Sequence, residues 1–542
     1  MSRALVFLCF LGLACSVSDQ GHAPPVDQFF FPTGVVANPY GRWLYVTNGN
    51  TDLRFSGGSV VSVDFDTALA LFASGGCSSR DPLDTRIPVC LGSDTDAHDG
   101  SRRVIDPART LRIGSFAGQP VVQRFLAARG AGSVGMRRCP IVPAASAAAC
   151  QMARACNPQT DGPNCIPTFD PDPSPGFRLL ITVRGDPSMT WINVKGAGAE
   201  EGALDCGQGT SGPVPSCDSK HRLTTLASDP AQILVPEPFE IAVSEHMAIA
   251  LAAHLYRASA SLYALGDGPD IQPSVVDQRS GLFDPASSGA LGAYGVALRP
   301  IDPANLPAVC EGQPGGICTL GDFSFLFVTS RFSPRVAQVL ARGADLCRPD
   351  LGFDPCRASS YAMSILSSGQ LRLESFFIDG GDVRDIKFIR DGTRAFLVDR
   401  RPPSVLELDT SPAPPPAGDP RNAVLRAVEV CEEPSLLALR EDPGPLRVYV
   451  SCFSAGQIYV IDPERGAVLD VIQVGRGPNA VVQIPPIMIQ LPSEPAPALH
   501  TLGVVADFAD NDLAVLDLTP GSPTENTVLF RIGAPRPITG QQ

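Results

Sequence analysis

The chain has 542 residues, of which 44% are hydrophobic and 18% charged, and its net charge is −14. That apolar content is ample for a core at this length, and the acidity argues against a nucleic-acid partner, which needs a basic face. The 53 prolines and 51 glycines demand many turns, while lysine is confined to Lys195, Lys220 and Lys387.

Residues 1–14 read as a signal peptide: Arg3, then an apolar run from Ala4 to Ala14 that is too short for a permanent bilayer span. The run closes on Leu11-Gly12-Leu13-Ala14-Cys15, which resembles a bacterial lipoprotein signal. The resemblance implies that Cys15 is lipidated and becomes the mature N-terminus, and Ser16 after it points to the outer membrane. An ordinary secretory signal cut near Ala14 is the alternative. Residues 15–28 then comprise the lipidated cysteine and a polar tether, so the expected location is the cell envelope, with the membrane touched through the N-terminal lipid alone.

Residues 29–540 are read as one domain. GRWLYVTNGN (41–50) is an apolar, β-branched run that stops at turn residues, and it recurs as RLLITVRGDP (178–187), MAIALAAHLY (247–256), SFLFVTSRFS (324–333), TRAFLVDRRP (393–402), LRVYVSCFSA (446–455) and HTLGVVADFA (500–509). Most are followed by a second strand-like run, among them SVVSVDF (59–65), TWINV (190–194), SVLELD (404–409) and NDLAVLD (511–517). Several are preceded by another, such as TGVVANP (33–39), EPFEIAV (237–243) and RDIKFIR (384–390), and a closing run follows in TLRIG (110–114), LESFFID (373–379), VLDVIQVG (468–475) and TVLFRIG (527–533). Helical periodicity is nearly absent. Seven units of four strands predict an all-β chain folded as a seven-bladed β-propeller, with eight blades as the alternative because 115–177 is long enough to hide one. Inserts are expected at about 66–109, 129–177, 196–222, 300–322, 342–370 and 484–499. The repeat resembles the YVTN family of β-propellers through Tyr45-Val46-Thr47-Asn48, with the fullest match at 33–67 and 433–482.

Setting aside Cys9 and Cys15, fourteen cysteines remain, and an even number in an exported chain suggests disulfides. Proximity pairs Cys77 with Cys90, Cys139 with Cys150, Cys156 with Cys165, Cys206 with Cys217, Cys310 with Cys318, and Cys347 with Cys356. Cys431 precedes a first strand and Cys452 ends the next, so antiparallel pairing brings them together. The rival use, metal binding, lacks any C-x-x-C.

The same register puts one residue per blade at the end of the second strand: Asn48, Arg184, His254, Ser330, Asp399, Cys452 and Asp507, with Arg331 and Arg400 next in line. The polar members are expected to ring one mouth of the central channel. Propellers of the lactonase type hold a catalytic metal in a comparable axial place, and the likeness implies that Asp399, Asp507, Asn48 and His254 could hold a divalent cation. No G-x-S-x-G, H-E-x-x-H or P-loop motif is present, and Trp43 and Trp191 are too few for the tryptophan-docked blades of quinone-cofactor propellers. The leading expectation is therefore a non-catalytic binding or scaffold lipoprotein, monomeric in its body, that engages an envelope protein or glycan. A metal-dependent hydrolase of lactonase type is the second.

Overall fold

In the computed structural model the described residues are 22–39, 42–95, 102–125, 176–195, 202–208, 214–244, 248–266, 268–283, 292–300, 323–331, 335–342, 362–365, 371–372, 381–411, 422–492 and 494–534. They form seven sheets arranged as the blades of a propeller, with a two-stranded sheet, Ile487–Ile489 and Ala498–His500, in an insert of blade 7. Blade 1 is Pro32–Ala37, Trp43–Asn48, Gly58–Asp64 and Ile105–Ile113. Blade 3 is Pro238–Ser244, Ile249–His254, Ser259–Ala264 and Ser274–Arg279. Blades 5, 6 and 7 begin at Val383, Pro434 and Pro478 and end at Glu429, Gln473 and Gly533. Blade 2 has Val121–Arg124, Phe177–Val183 and Ser188–Val194, with Leu204–Asp205 and Arg222–Leu223 sharing its outer edge. Blade 4 has Ala293–Leu298, Phe323–Ser330 and Arg335–Arg342, edged by Ala362–Ile365 and Leu371–Arg372. The expected closing run 373–379 and the cysteines at 139, 150, 156, 165, 310, 318, 347 and 356 lie outside the described residues, as do residues 1–21 with the expected signal.

Why the second strands are continuous apolar runs is plain from their burial. Trp43–Asn48 and Ile249–His254 are buried at every position, because each sits between two neighbouring blades and has no solvent face. The outermost strands of blades 5 and 6, Ala423–Glu429 and Ala467–Gln473, are exposed at most positions. The blade count follows from the cores. Apolar residues gather in seven clusters, one at each interface between successive blades, and the last joins blade 7 to blade 1 through Val504, Val515 and Phe530 against Val46, Val61 and Val63. The ring has seven blades.

Closure involves no exchange of strands within a blade. Instead, the insert between the third and fourth strands of blade 1 reaches across the seam. It opens with a helix, Phe65–Ser74, capped by Asp64, whose carboxylate accepts from Thr67 N–H, and ended by Gly75 in the left-handed region at φ 71°. Phe72 stacks on Phe530 of blade 7 with ring centroids 4.6 Å apart. Beyond the helix, Pro88–Cys90 pairs in parallel with Thr527–Gly533, and Ser79–Arg80 adds one more strand outside it. The Cys77–Cys90 disulfide holds this extension together, and Cys206–Cys217 and Cys431–Cys452 are likewise bonded.

Candidate functional site

The end of each second strand pairs with the start of the first. Pro32 faces Asn48, Pro238 faces His254, Ala293 faces Ser330, Val383 faces Asp399, Pro434 faces Cys452 and Pro478 faces Asp507. In blade 2 the partner of Ala117 is Val183, so Arg184 stands one residue beyond the equivalent position. The sequence register slipped there by one, and in a strand one residue reverses the side chain's direction.

A second correction concerns what these residues do. Asn48, His254, Ser330, Asp399 and Asp507 are wholly buried and do not line the mouth. Several latch the second strand to the segment entering the first. Asn48 Oδ1 accepts from Phe30 N–H at 3.2 Å while its Nδ2 donates to Ser59 Oγ at 2.9 Å. Asp399 Oδ1 accepts from Asp382 N–H at 2.7 Å. His254 Nδ1 meets the Pro236 carbonyl at 3.3 Å and its Nε2 meets Ser261 Oγ at 2.8 Å. In blade 6 the Cys431–Cys452 disulfide makes the same tie covalently. Asp507 instead turns to Arg531, 3.0 Å away.

This disposes of the proposed cation set. Asp399, Asp507, Asn48 and His254 belong to four different blades; Asn48 and His254 are occupied by their own partners, and each carboxylate has one oxygen engaged, while Asp399 Oδ2 and Asp507 Oδ1 are buried without a hydrogen-bond partner among the described residues. Among the described residues no group of three or more His, Cys, Asp and Glu side chains is placed to hold a metal ion. The residues do not fit a resident metal.

The mouth is built by the residues that follow the latches. Gly49, Arg184, Leu255, Arg331, Arg400 and Phe508 each donate their N–H to the residue before the first strand, respectively Phe31, Phe116, Glu237, Gly292, Asp382 and Gly477. Phe31, Phe116, Glu237 and Glu433 hold φ between 49° and 57°, a left-handed conformation uncommon for side-chain-bearing residues. Blade 7 has Gly477 at this turn, at φ 71°, and blade 4 has Gly292.

Side chains from this turn and from the first strands touch across the blade boundaries. Arg184 lies over the Phe239 ring at 5.1 Å and the Phe116 ring at 5.8 Å. Phe239 packs on Tyr294 with centroids 4.0 Å apart, and Arg384 lies 4.7 Å over Tyr294. Arg400 donates to the Pro434 carbonyl at 3.0 Å and to Ser435 Oγ at 2.6 Å. Across the ring, Phe453, Phe508 and Phe31 follow one another at 6.0 and 5.2 Å. One arc of the mouth, over blades 2 to 5, thus sets arginine against aromatic faces, and the other carries the three phenylalanines beside Glu433 and the Arg476–Asp510 pair.

The arginines are not equally satisfied. Arg384 donates to Asp382 at 2.7 Å, and although burial works against its charge, that carboxylate and Tyr294 hold its pKa above the usual value. Arg184 and Arg400 are half-buried and form no ion pair among the described residues. Burial lowers the pKa of both, and the neighbouring charges of Arg331 and Arg384 add to the effect. The rim acids Glu237 and Glu433 are exposed and act on them at longer range.

Sequence reasoning reached Arg331 and Arg400 as neighbours of the ring but passed over Arg384, Tyr294 and Phe239. The signal for these was available: in AYGVALR and RDIKFIR a large polar or charged residue stands near the start of a first strand, where the neighbouring chains approach the axis.

No protein-family model matches the chain, and no curated protein matches it in sequence. Solved structures with a similar course include the periplasmic gluconolactonase of Pseudomonas aeruginosa, at 13% identity and a TM-score of 0.43 over 82% of this chain and 86% of that one. A candidate 6-phosphogluconolactonase of Bacteroides fragilis has 9% identity and a TM-score of 0.42 over 83% and 86%. Hydrazine synthase of Kuenenia stuttgartiensis has 10% identity and a TM-score of 0.43 over 93% and 99%. Likeness this distant bears on neither activity nor substrate.

Proposed function

We propose that the protein is a non-catalytic binding propeller of the cell envelope, anchored by a lipid on Cys15, whose ligand is an envelope protein or glycan that presents carboxylate or phosphate groups to the arginine arc. The observation that carries this reading is the state of Arg184 and Arg400: two half-buried guanidinium groups at one mouth of an acidic protein, neither in an ion pair among the described residues. Guanidinium forks match carboxylate and phosphate geometry, and partial burial makes an incoming anion worth more than it would be in open water. The Phe31–Phe453–Phe508 arc offers an apolar surface for the body of the same ligand.

Citrate serves as a small multivalent probe. It is expected to raise the melting temperature of the body (residues 16–542) and to bind in calorimetry, and the double variant Arg184→Gln/Arg400→Gln should lose at least tenfold in affinity. Equal binding by both proteins would remove the mouth as the site. Against the hydrolase alternative, Asn48, Asp399 and His254 latch their blades and Asp507 pairs with Arg531.

A further inference from the structure

Below the mouth, the first strands of blades 2 to 5 enclose a cavity of about 470 Å³, within the range of small-molecule sites. Those strands start at the mouth and run to the opposite face, so Arg299, just past the end of Ala293–Leu298, lies at the far end of the channel. Three charged side chains line the space: Glu240, Lys387 and Arg299. The wall between them is apolar, supplied by Val121, Ile241, Val296 and Leu298 among others.

Two of the three charges answer one another. Lys387 Nζ donates to Glu240 Oε1 at 3.2 Å and sits 2.9 Å from Asp385 Oδ1. Glu240 Oε2 accepts from Val296 N–H at 3.3 Å, and Asp385 Oδ2 accepts from Leu437 N–H at 2.8 Å. Lys387 therefore has its carboxylates in place. Arg299 does not. Its Nε donates to the Gly392 carbonyl at 3.1 Å, and among the described residues it forms no ion pair. Its side chain is part-buried, and burial lowers its pKa.

We propose that this cavity is a second binding site, for a small aliphatic monocarboxylate whose carboxylate pairs with Arg299 and whose chain lies against Val121, Ile241, Val296 and Leu298. Among the described residues Arg299 has no carboxylate, so one carboxylate suits it, and a dianion such as a phosphate monoester would bring a second negative charge toward Glu240 and Asp385. A neutral ligand would leave Arg299 as it is, and a cation would give it no counter-charge. The site shares no residue with the mouth, and the proposal stands whether or not the mouth binds anions.

Octanoate is the probe, with 1-octanol as its neutral match, titrated calorimetrically into the body. Octanoate is expected to bind at one per chain, with octanol at least tenfold weaker. Arg299→Gln should weaken octanoate at least tenfold and bring the two ligands level. Ala242→Phe, which fills the cavity from another wall without touching a charge, should abolish both, and circular dichroism melts confirm that each variant is folded. Should Arg299→Gln fail to fold, Ala242→Phe decides. Octanoate that does not bind one per chain, binding that survives Ala242→Phe, or binding lost in Arg184→Gln/Arg400→Gln would each overturn the assignment.

Discussion

At the seam between blades 7 and 1 one guanidinium, that of Arg531, faces three carboxylates: Asp81 at 3.1 Å, Asp507 at 3.0 Å and Asp512 at 2.9 Å, all four side chains essentially inaccessible. Across the ring, Arg184 and Arg400 at the mouth face none at ion-pair distance among the described residues. Both are cations out of bulk water, a condition that needs partners. The seam finds its partners in two separate stretches of chain, the blade 7 hairpin with Asp507 and Asp512 and the blade 1 insert with Asp81, and so converts charge pairing into closure of the ring. The mouth leaves its partners to come from outside. The same residue type thus works as a staple in one place and as a receptor in the other, and what separates the two is whether the fold supplies the carboxylates.

The sharpest way to break the seam is Arg531→Met. Burial works against the charge on Arg531, but Asp512 and Asp507 outweigh it and raise the guanidinium's pKa. Without Arg531 the three acids are left crowded together, and loss of one member of such a cluster costs on the order of 3–5 kcal/mol. Urea denaturation at pH 7 should show that loss. It should shrink at acid pH, since burial and the charge of Asp512 already push the Asp507 carboxyl well above its ordinary range and make it ready to accept a proton. A loss below about 1 kcal/mol would mean that packing, and not charge, closes the ring. Next in size is Cys77→Ser/Cys90→Ser. The bond spans 13 residues, and the chain entropy of a loop that short is worth about 3 kcal/mol. The expected readout is earlier unfolding together with proteolytic cleavage inside 75–90, since Pro88–Cys90 is the strand that laps onto blade 7.

How much of this was written in the sequence depends on whether the signal was local or long-range. The blades were legible because second strands buried on both faces must read as apolar runs such as WLYVTN and LGVVAD. The Cys431–Cys452 tie was legible because it follows from antiparallel register alone. The helix Phe65–Ser74 was missed although its cap, Asp64, and its stop, Gly75, stand in the sequence, because a single amphipathic helix was overshadowed by the strand repeat. The role of the ring residues could not be read. Whether Asn48 or Asp399 points to the axis or back into its own blade depends on a bulge between the first and second strands, at Pro32/Gly34 and Val383/Asp385, which shifts the register within a few residues. Arg531 and Asp81 lie 450 positions apart, and no local pattern ties them.

Between the paired seam and the open mouth stands a buried group that keeps no charge at all. His254 is fully buried, and burial pushes its pKa down from 6.5 to about 4. In the unfolded chain it binds a proton near pH 6.5, in the fold only near 4, so the folded pKa is the lower one. Stability from this residue is complete above pH 6.5 and is lost as pH falls toward 4, by roughly 2 kcal/mol at pH 5. Comparing wild type with His254→Gln at pH 7.5 and pH 5 isolates the effect: the difference between the two proteins should narrow on acidification. A difference independent of pH would mean that His254 takes up its proton equally in the folded and unfolded chain, so that burial does not hold it neutral.

The smallest expected change in stability is also the one that tests the comparison most directly. If the mouth arginines are receptors and not staples, removing them costs the fold little. Arg184→Gln gives up contacts with Phe116 and Phe239, and Arg400→Gln gives up hydrogen bonds to Pro434 and Ser435, but neither breaks an ion pair among the described residues. Each should shift stability by no more than about 1 kcal/mol, because lost packing and hydrogen bonding are offset by relief from the desolvation that depresses both pKa values. Arg384→Gln is the internal control: it strands Asp382 beside the buried Asp399 and should cost more than either. If Arg184→Gln or Arg400→Gln proved as damaging as Arg531→Met, the mouth would be a second staple, and its shortage of carboxylates would no longer point to a ligand.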